Sequence, residues 1–241
     1  MQIKSRISAT RWNLISRYIL VAIAMIQGFV MVPLYLRFIP LEVYGIWLAS
    51  GNLLAWISTI DPGLTSVLQQ QVAVYYGNRE ISTLRKLIGS GLVSGIIVLF
   101  FAILLGFIMA HYLPSFLDIS LNVHILIIKK AFILAVIGTS LMIYSFTINA
   151  MNQGLLGSFG PGLISISINL ISIVLTIILL FNGYGLLALP FGLLFSGIFY
   201  VLAQLSYLLW RVYSEKIGIS FSITNFLNVA KLLSFTFLSR L

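Results

Sequence analysis

Long apolar runs, separated by short polar stretches, dominate the chain. A helix needs about 20 apolar residues to cross the hydrocarbon of a bilayer. Runs of that length or longer cover Trp12 to Leu36, Tyr44 to Tyr76, Leu87 to Ala110, Ala131 to Asn149, Pro161 to Phe181 and Leu186 to Trp210. The second run is longer than a single span requires and carries Asp61-Pro62-Gly63 in its middle. Proline removes a backbone donor and glycine loosens the helix, so this triplet predicts a helix broken at membrane depth. A further apolar segment begins near Phe226 and continues to Leu241. The connections are rich in glycine, proline and asparagine, as turns are. The pattern predicts an all-α, polytopic transmembrane bundle of six spans plus the start of a seventh. It divides into a six-helix lobe over residues 1–216 and a linker with the first part of the seventh helix over 217–241. Because the last apolar segment stops partway through a span, the chain reads as the N-terminal portion of a longer protein, one half of a two-lobe transporter.

Composition agrees with this reading and excludes the soluble one. Apolar residues make up 60% of the chain, charged residues 8%, and the mean hydropathy is +1.10. A soluble domain carries about 25% charged residues. The basic N-terminus followed by an apolar run resembles a signal peptide, but the run is too long and lacks a small-residue cleavage site. The net charge of +9 would suggest nucleic acid in a soluble protein. Here the cations flank spans, so orientation accounts for them and no nucleic-acid partner is expected. With the N-terminus inside, the inner segments hold Lys4, Arg6, Arg11, Arg79, Arg85, Lys86, Arg211 and Lys216, and the outer ones Arg37, Lys129 and Lys130. This asymmetry predicts a cytoplasmic N-terminus. Aromatic residues fall at both expected interfaces, Trp12, Tyr75, Tyr76, Tyr207 and Trp210 inside and Tyr35, Tyr44, Trp47, Tyr112, Phe181 and Tyr184 outside. The chain has no cysteine, which excludes disulfides and thiol chemistry.

Polar groups within the spans are the candidates for function, because each is costly in hydrocarbon. Asp61 either caps the helix that follows the break or couples transport to an ion. Ser165, Asn169, Ser172 and Thr176 share one helical face, and Ser145, Asn149 and Asn152 follow a similar spacing. Such stripes line a water-filled cavity or bond neighbouring helices. Asn149 and Asn152, at the inner mouth, suit sugar contact because an amide both donates and accepts. Gly91 and Gly95 predict close helix packing. Arg17, Arg37, Lys129 and Lys130 are either interfacial anchors or contacts to a diphosphate, and Arg240 falls near mid-membrane, where a guanidinium faces a polar interior. His111 and His124 fall in the loop between the third and fourth spans. Paired carboxylates, metal-ligand clusters, phosphate-cradling glycine loops and nucleophile–base arrangements do not stand out, so neither an enzyme nor a bound cofactor is expected.

The stretch Pro33-Leu-Tyr-Leu-Arg37-Phe-Ile-Pro-Leu-Glu42-Val-Tyr-Gly45-Ile-Trp47 is similar to the loop between the first two helices of polysaccharide exporters. Thr59-Ile-Asp61-Pro-Gly63-Leu-Thr-Ser-Val-Leu resembles their break in helix two, and Val72-Ala-Val-Tyr-Tyr-Gly77-Asn-Arg-Glu follows in order. Over Pro33 to Arg85 the chain resembles the N-terminal half of O-antigen flippases (Wzx type), members of the multidrug/oligosaccharidyl-lipid/polysaccharide exporter superfamily. Arg37, Gly45, Asp61 and Gly63 fall on motif positions, while Pro40 stands near where the family tends to show glycine. The resemblance implies a transporter of about twelve helices in two lobes, moving undecaprenyl-diphosphate-linked oligosaccharide by ion-coupled alternating access. Its partners are then the lipid-linked substrate, the phospholipid bilayer and other polysaccharide assembly proteins. Alternatives are a multidrug or peptidoglycan-precursor exporter of the same architecture, a membrane enzyme such as an O-antigen polymerase or acyltransferase, and an inactive truncated transporter.

Overall fold

The structure, a computed structural model, describes residues 2–58, 63–116 and 125–222. Within them lie seven α-helices: α1 (Gln2–Phe38), α2 (Leu41–Ser58), α3 (Leu64–Gly77), α4 (Ile81–Phe116), α5 (Ile125–Gly154), α6 (Phe159–Phe181) and α7 (Ala188–Ser214), the last entered through a 3-10 turn at Gly185–Leu187. Among the described residues, five helical stretches are long and apolar enough to cross a membrane: Thr10–Phe38, Ile81–Ser115, Leu126–Gly154, Phe159–Phe181 and Gly185–Ser214. The chain is thus an all-helical, multi-pass membrane protein. Several helices outrun their apolar stretches. The apolar pattern places the third span at Leu87 to Ala110, but α4 continues from Ile81 to Phe116. Good helix formers such as Leu84, Arg85 and Lys86 extend it beyond the hydrocarbon. His111, expected in a loop, is accordingly an exposed helical residue edge-on to Tyr112.

The helices alternate in direction except that α2 and α3 run the same way, and two apolar clusters mark the two ends of the bundle. One gathers Ile39, Val43, Trp47, Leu113, Ile128, Phe132, Leu180 and Leu186; the other gathers Leu64, Leu68, Val72, Leu84, Ile88, Ile148, Met151, Leu155 and Leu208. We call the second the N-terminal end, since Trp12 of α1 lies there, edge-on to Phe159 at the start of α6. α2 shares the first cluster with the early half of α5, and α3 shares the second with the late half. The two short helices therefore pack in succession along α5. Helix α3 has its N-cap at Gly63, whose φ of 93° places it in the left-handed region that glycine adopts without strain. Asp61, with Pro62, lies outside the described residues, as do His124, Arg240 and the segment from Phe226.

α5 is the hub, packed against α2, α3, α4, α6 and α7, with its broadest contact to α7. In lipid the hydrophobic effect does not drive helices together, and close contact of small residues takes its place. A Cβ on Gly138 of α5 would lie 2.7 Å from the backbone of Leu193 in α7, so only glycine lets these helices approach this closely. Gly91 and Gly95 of α4 also pack closely, against the side chains of Leu68 and Met151 and of Tyr144. α1 sits at the periphery, mainly against α6; 6% of its apolar stretch is buried, against 44% for α5. The outward surface is apolar: Phe29 is 84% exposed and Phe100 67%. A contiguous surface of this kind belongs in hydrocarbon rather than water.

The chain past Ser214 turns back onto the bundle. Gly218 takes a φ of 75°, and Ile217 is buried in the second cluster. Ser220 N–H donates to the Arg85 carbonyl at 3.2 Å, and Ser90 Oγ donates to the Ser222 carbonyl at 3.1 Å. Residues 217–222, expected to begin a linker, therefore lie on α4 and pack with the helices that precede them.

Candidate functional site

Two polar cavities lie between the helices on the N-terminal side. The end cavity, of about 530 Å³, is lined by Thr10, Asn13, Gln69, Tyr76, Asn78 and Gln153 among others. The deep cavity, of about 350 Å³, lies between α1, α5, α6 and α7. Its polar lining includes Arg17, Asn149, Ser165, Asn169, Tyr200 and Gln204, with Leu20, Met142 and Phe146 on its apolar side. Both volumes fall within the range of about 300–1,000 Å³ typical of small-molecule sites.

The linings follow from helical periodicity. Ser145, Asn149 and Gln153 recur every four residues on α5, as do Ser165 and Asn169 on α6, so each set faces one direction. Asn13 and Arg17 do the same on α1. These three polar faces converge, and a carboxamide network joins those of α1 and α5 to α3. Asn13 Nδ2 and Gln69 Nε2 both donate to Gln153 Oε1, each at 3.2 Å, while Gln153 Nε2 donates to Asn149 Oδ1 at 3.2 Å. Gln153 thus links α1, α3 and α5. Tyr200 closes the α7 side by donating its hydroxyl to the Ser165 carbonyl at 2.9 Å.

The floor is the α5–α6 connection, whose Leu156 carries a φ of 60°. A non-glycine residue in the left-handed region needs support from its surroundings. Arg211 supplies it next door, donating from Nη2 to the Leu155 carbonyl at 2.6 Å while pairing with Glu215.

The residues expected to form the site divide cleanly. Arg17, Asn149, Ser165 and Asn169 line the deep cavity together. The remaining stripe residues meet α7 instead. Ser172 Oγ donates to the Gly192 carbonyl of α7 at 2.9 Å, while buried Thr176 packs against Gly192 and donates within its own helix, to the Ser172 carbonyl at 2.9 Å. Asn152 is fully buried, with Nδ2 donating to the backbone and side-chain oxygens of Gln204 at 3.0 and 3.1 Å. It faces α7 rather than either cavity. The three-residue step from Asn149 to Asn152 turns about 60° to one side of the helix, whereas the four-residue step to Gln153 turns about 40° to the other. The cations expected at a diphosphate do not assemble either. Arg37 is exposed, its guanidinium 6.0 Å from the Phe38 ring, and lies twenty residues, about 30 Å, along α1 from Arg17. Lys129 and Lys130 occupy the first two turns of α5, at that same far end.

Asn13, Gln69, Gln153, Tyr200 and Gln204 did not stand out in the sequence. Gln153 carried a signal, standing four residues beyond Asn149. Gln204, an amide inside an apolar run, carried another. Among the described residues no group of three or more histidine, cysteine or acidic side chains is placed to hold a metal.

Fold and site together define a multi-pass helical membrane protein with an amide-lined cavity that, among the described residues, has one charged lining side chain, that of the exposed Arg17. Comparison of the chain with protein-family models, with curated proteins and with solved structures gives no match.

Proposed function

We propose that the chain is the N-terminal lobe of a two-lobe flippase that carries undecaprenyl-diphosphate-linked oligosaccharide across the bacterial inner membrane by alternating access. In this reading α2 and α3 together make a sixth crossing, and the N-terminus is cytoplasmic, as the distribution of basic residues favours. The observation that carries the proposal is the deep cavity, where Arg17 stands among Asn149, Asn169, Gln153 and Gln204. A sugar diphosphate cannot cross hydrocarbon unaided, because its polar groups lose their hydration there. Carboxamides replace water for hydroxyl groups, since they donate and accept, and a guanidinium matches phosphate oxygens with its fork of donors. The lipid tail stays in the bilayer against the apolar exterior. Among the described residues no carboxylate lines either cavity, which disfavours a cationic drug as the cargo. The resemblance over Pro33 to Arg85 supports the same reading.

Ion coupling is assigned to Asp61. The test is complementation of a bacterium that lacks its own O-antigen flippase, read as the ladder of long lipopolysaccharide chains on a gel. The parent chain restores the ladder and Asp61→Asn weakens it severely. A parent chain that reaches the membrane, pairs with a second copy in place of the second lobe and still restores nothing contradicts the substrate assignment, whereas full activity in Asp61→Asn contradicts the coupling role.

A further inference from the structure

Asn13, Gln153 and Ser158 line both cavities. The end cavity also touches both turns at the N-terminal end of the bundle, through Gly77 and Asn78 after α3 and through Leu156 after α5. The deep cavity extends about two further turns inward on α1, to Leu20, and about three on α5, to Met142. The two chambers thus lie in series, and the Gln153 carboxamide stands at their common wall. It is tied there from both sides, accepting from Asn13 and Gln69 at 3.2 Å each. Both distances fall at the long end of the N–H···O range, where such bonds weaken. Gln153 is also one residue from the end of α5, and its side chain has three rotatable bonds.

We propose that Gln153 is a gate between the two chambers, closed by its bonds to Asn13 and Gln69 and opened when its side chain rotates away from them. A polyhydroxylated headgroup opens such a gate with little loss, because its hydroxyls take over the same donors and acceptor. The proposal rests on reading the two chambers as one passage, and it assigns Gln153 a role in admission rather than in holding the cargo.

The chain contains no cysteine, so an introduced one reports alone. Ser165→Cys places a thiol in the deep chamber and Ala73→Cys places one in the end chamber. The measurement is the rate of modification of each by 2-sulfonatoethyl methanethiosulfonate, added to membranes from the N-terminal side. Gln153→Met, which keeps the length of the side chain but cannot hold the two amides, raises the rate at Ser165→Cys at least tenfold and leaves Ala73→Cys within twofold. Asn13→Val, which removes one tie from the α1 side, raises it in the same sense. Rates at Ser165→Cys that stay within twofold of the parent in both variants overturn the gate. An equal rise at both thiols overturns it too, because that marks general loosening. Since accessibility is read without transport, failure here leaves the substrate assignment standing, and a failed complementation leaves the gate testable.

Discussion

Arg17 and Arg37 stand on one helix and differ only in what they face. Both are exposed, but Arg17 borders the deep chamber, whereas Arg37 lies at the far end of the bundle. A hydrogen bond to a charged partner contributes about 1.5–3 kcal/mol, which corresponds to roughly 10- to 100-fold in affinity. On the proposed function, Arg17→Gln raises the apparent KM for a lipid-linked oligosaccharide by at least about tenfold, while Arg37→Gln stays within about twofold, as measured by substrate titration in vesicles. Equal losses in the two variants mean that both cations act only at interfaces. The sequence identified Arg17 as a candidate but could not rank it above Arg37, Lys129 and Lys130, since all four flank spans. What separates them is which neighbour each helix face meets, and that is decided by packing between helices far apart in the chain.

The stripe of Ser165, Asn169, Ser172 and Thr176 shows the same limit for a whole element. Its periodicity correctly placed four polar side chains on one face of α6. It could not show that this face passes from a cavity to the surface of α7 within two turns, so that Ser165 and Asn169 line the chamber while Ser172 bonds to α7 and Thr176 packs against it. Scattered amides were harder still, because Asn13, Gln69, Gln153 and Gln204 sit on four helices and form no local pattern. The broken second span, in contrast, was legible, because glycine at position 63 frees the backbone directly, and α3 begins after Gly63 at a φ of 93°. At this scale the α5–α7 crossing makes a sharp prediction. A side chain at Gly138 has backbone in its way, whereas a Cβ at Gly51 in α2 meets nothing within 4 Å. Overpacking costs about 1–3 kcal/mol. Gly138→Val thus lowers the thermal unfolding temperature in detergent by several degrees. Gly51→Ala leaves it unchanged or slightly raised, since alanine is the better helix former by about 1 kcal/mol. A Gly138→Val protein as stable as the parent contradicts the tight crossing.

For the whole molecule, the apolar exterior and the polar interior follow from one physical constraint. A lipid-facing helix must be apolar and internally hydrogen-bonded, so polar side chains collect where helices face one another. The exterior was plain from composition. The interior emerged once α1 was seated against α6 and its Asn13 and Arg17 met the polar faces of α5 and α6. Helix α1 forms one wall of the chamber while most of its surface faces lipid. A wall so lightly held can move without unpacking α5 and α7, which keep the bundle together.

Transport itself is tested most directly by reconstitution. The purified protein is placed in liposomes with a fluorescent undecaprenyl-diphosphate oligosaccharide in the inner leaflet, and arrival of the sugar outside is followed by quenching with an added membrane-impermeant reagent. The proposed function predicts quenching that proceeds past the outer-leaflet fraction, faster than in protein-free liposomes, and slowed at least about tenfold at subsaturating substrate by Arg17→Gln. Quenching that stops at the outer-leaflet fraction with the parent protein present contradicts it.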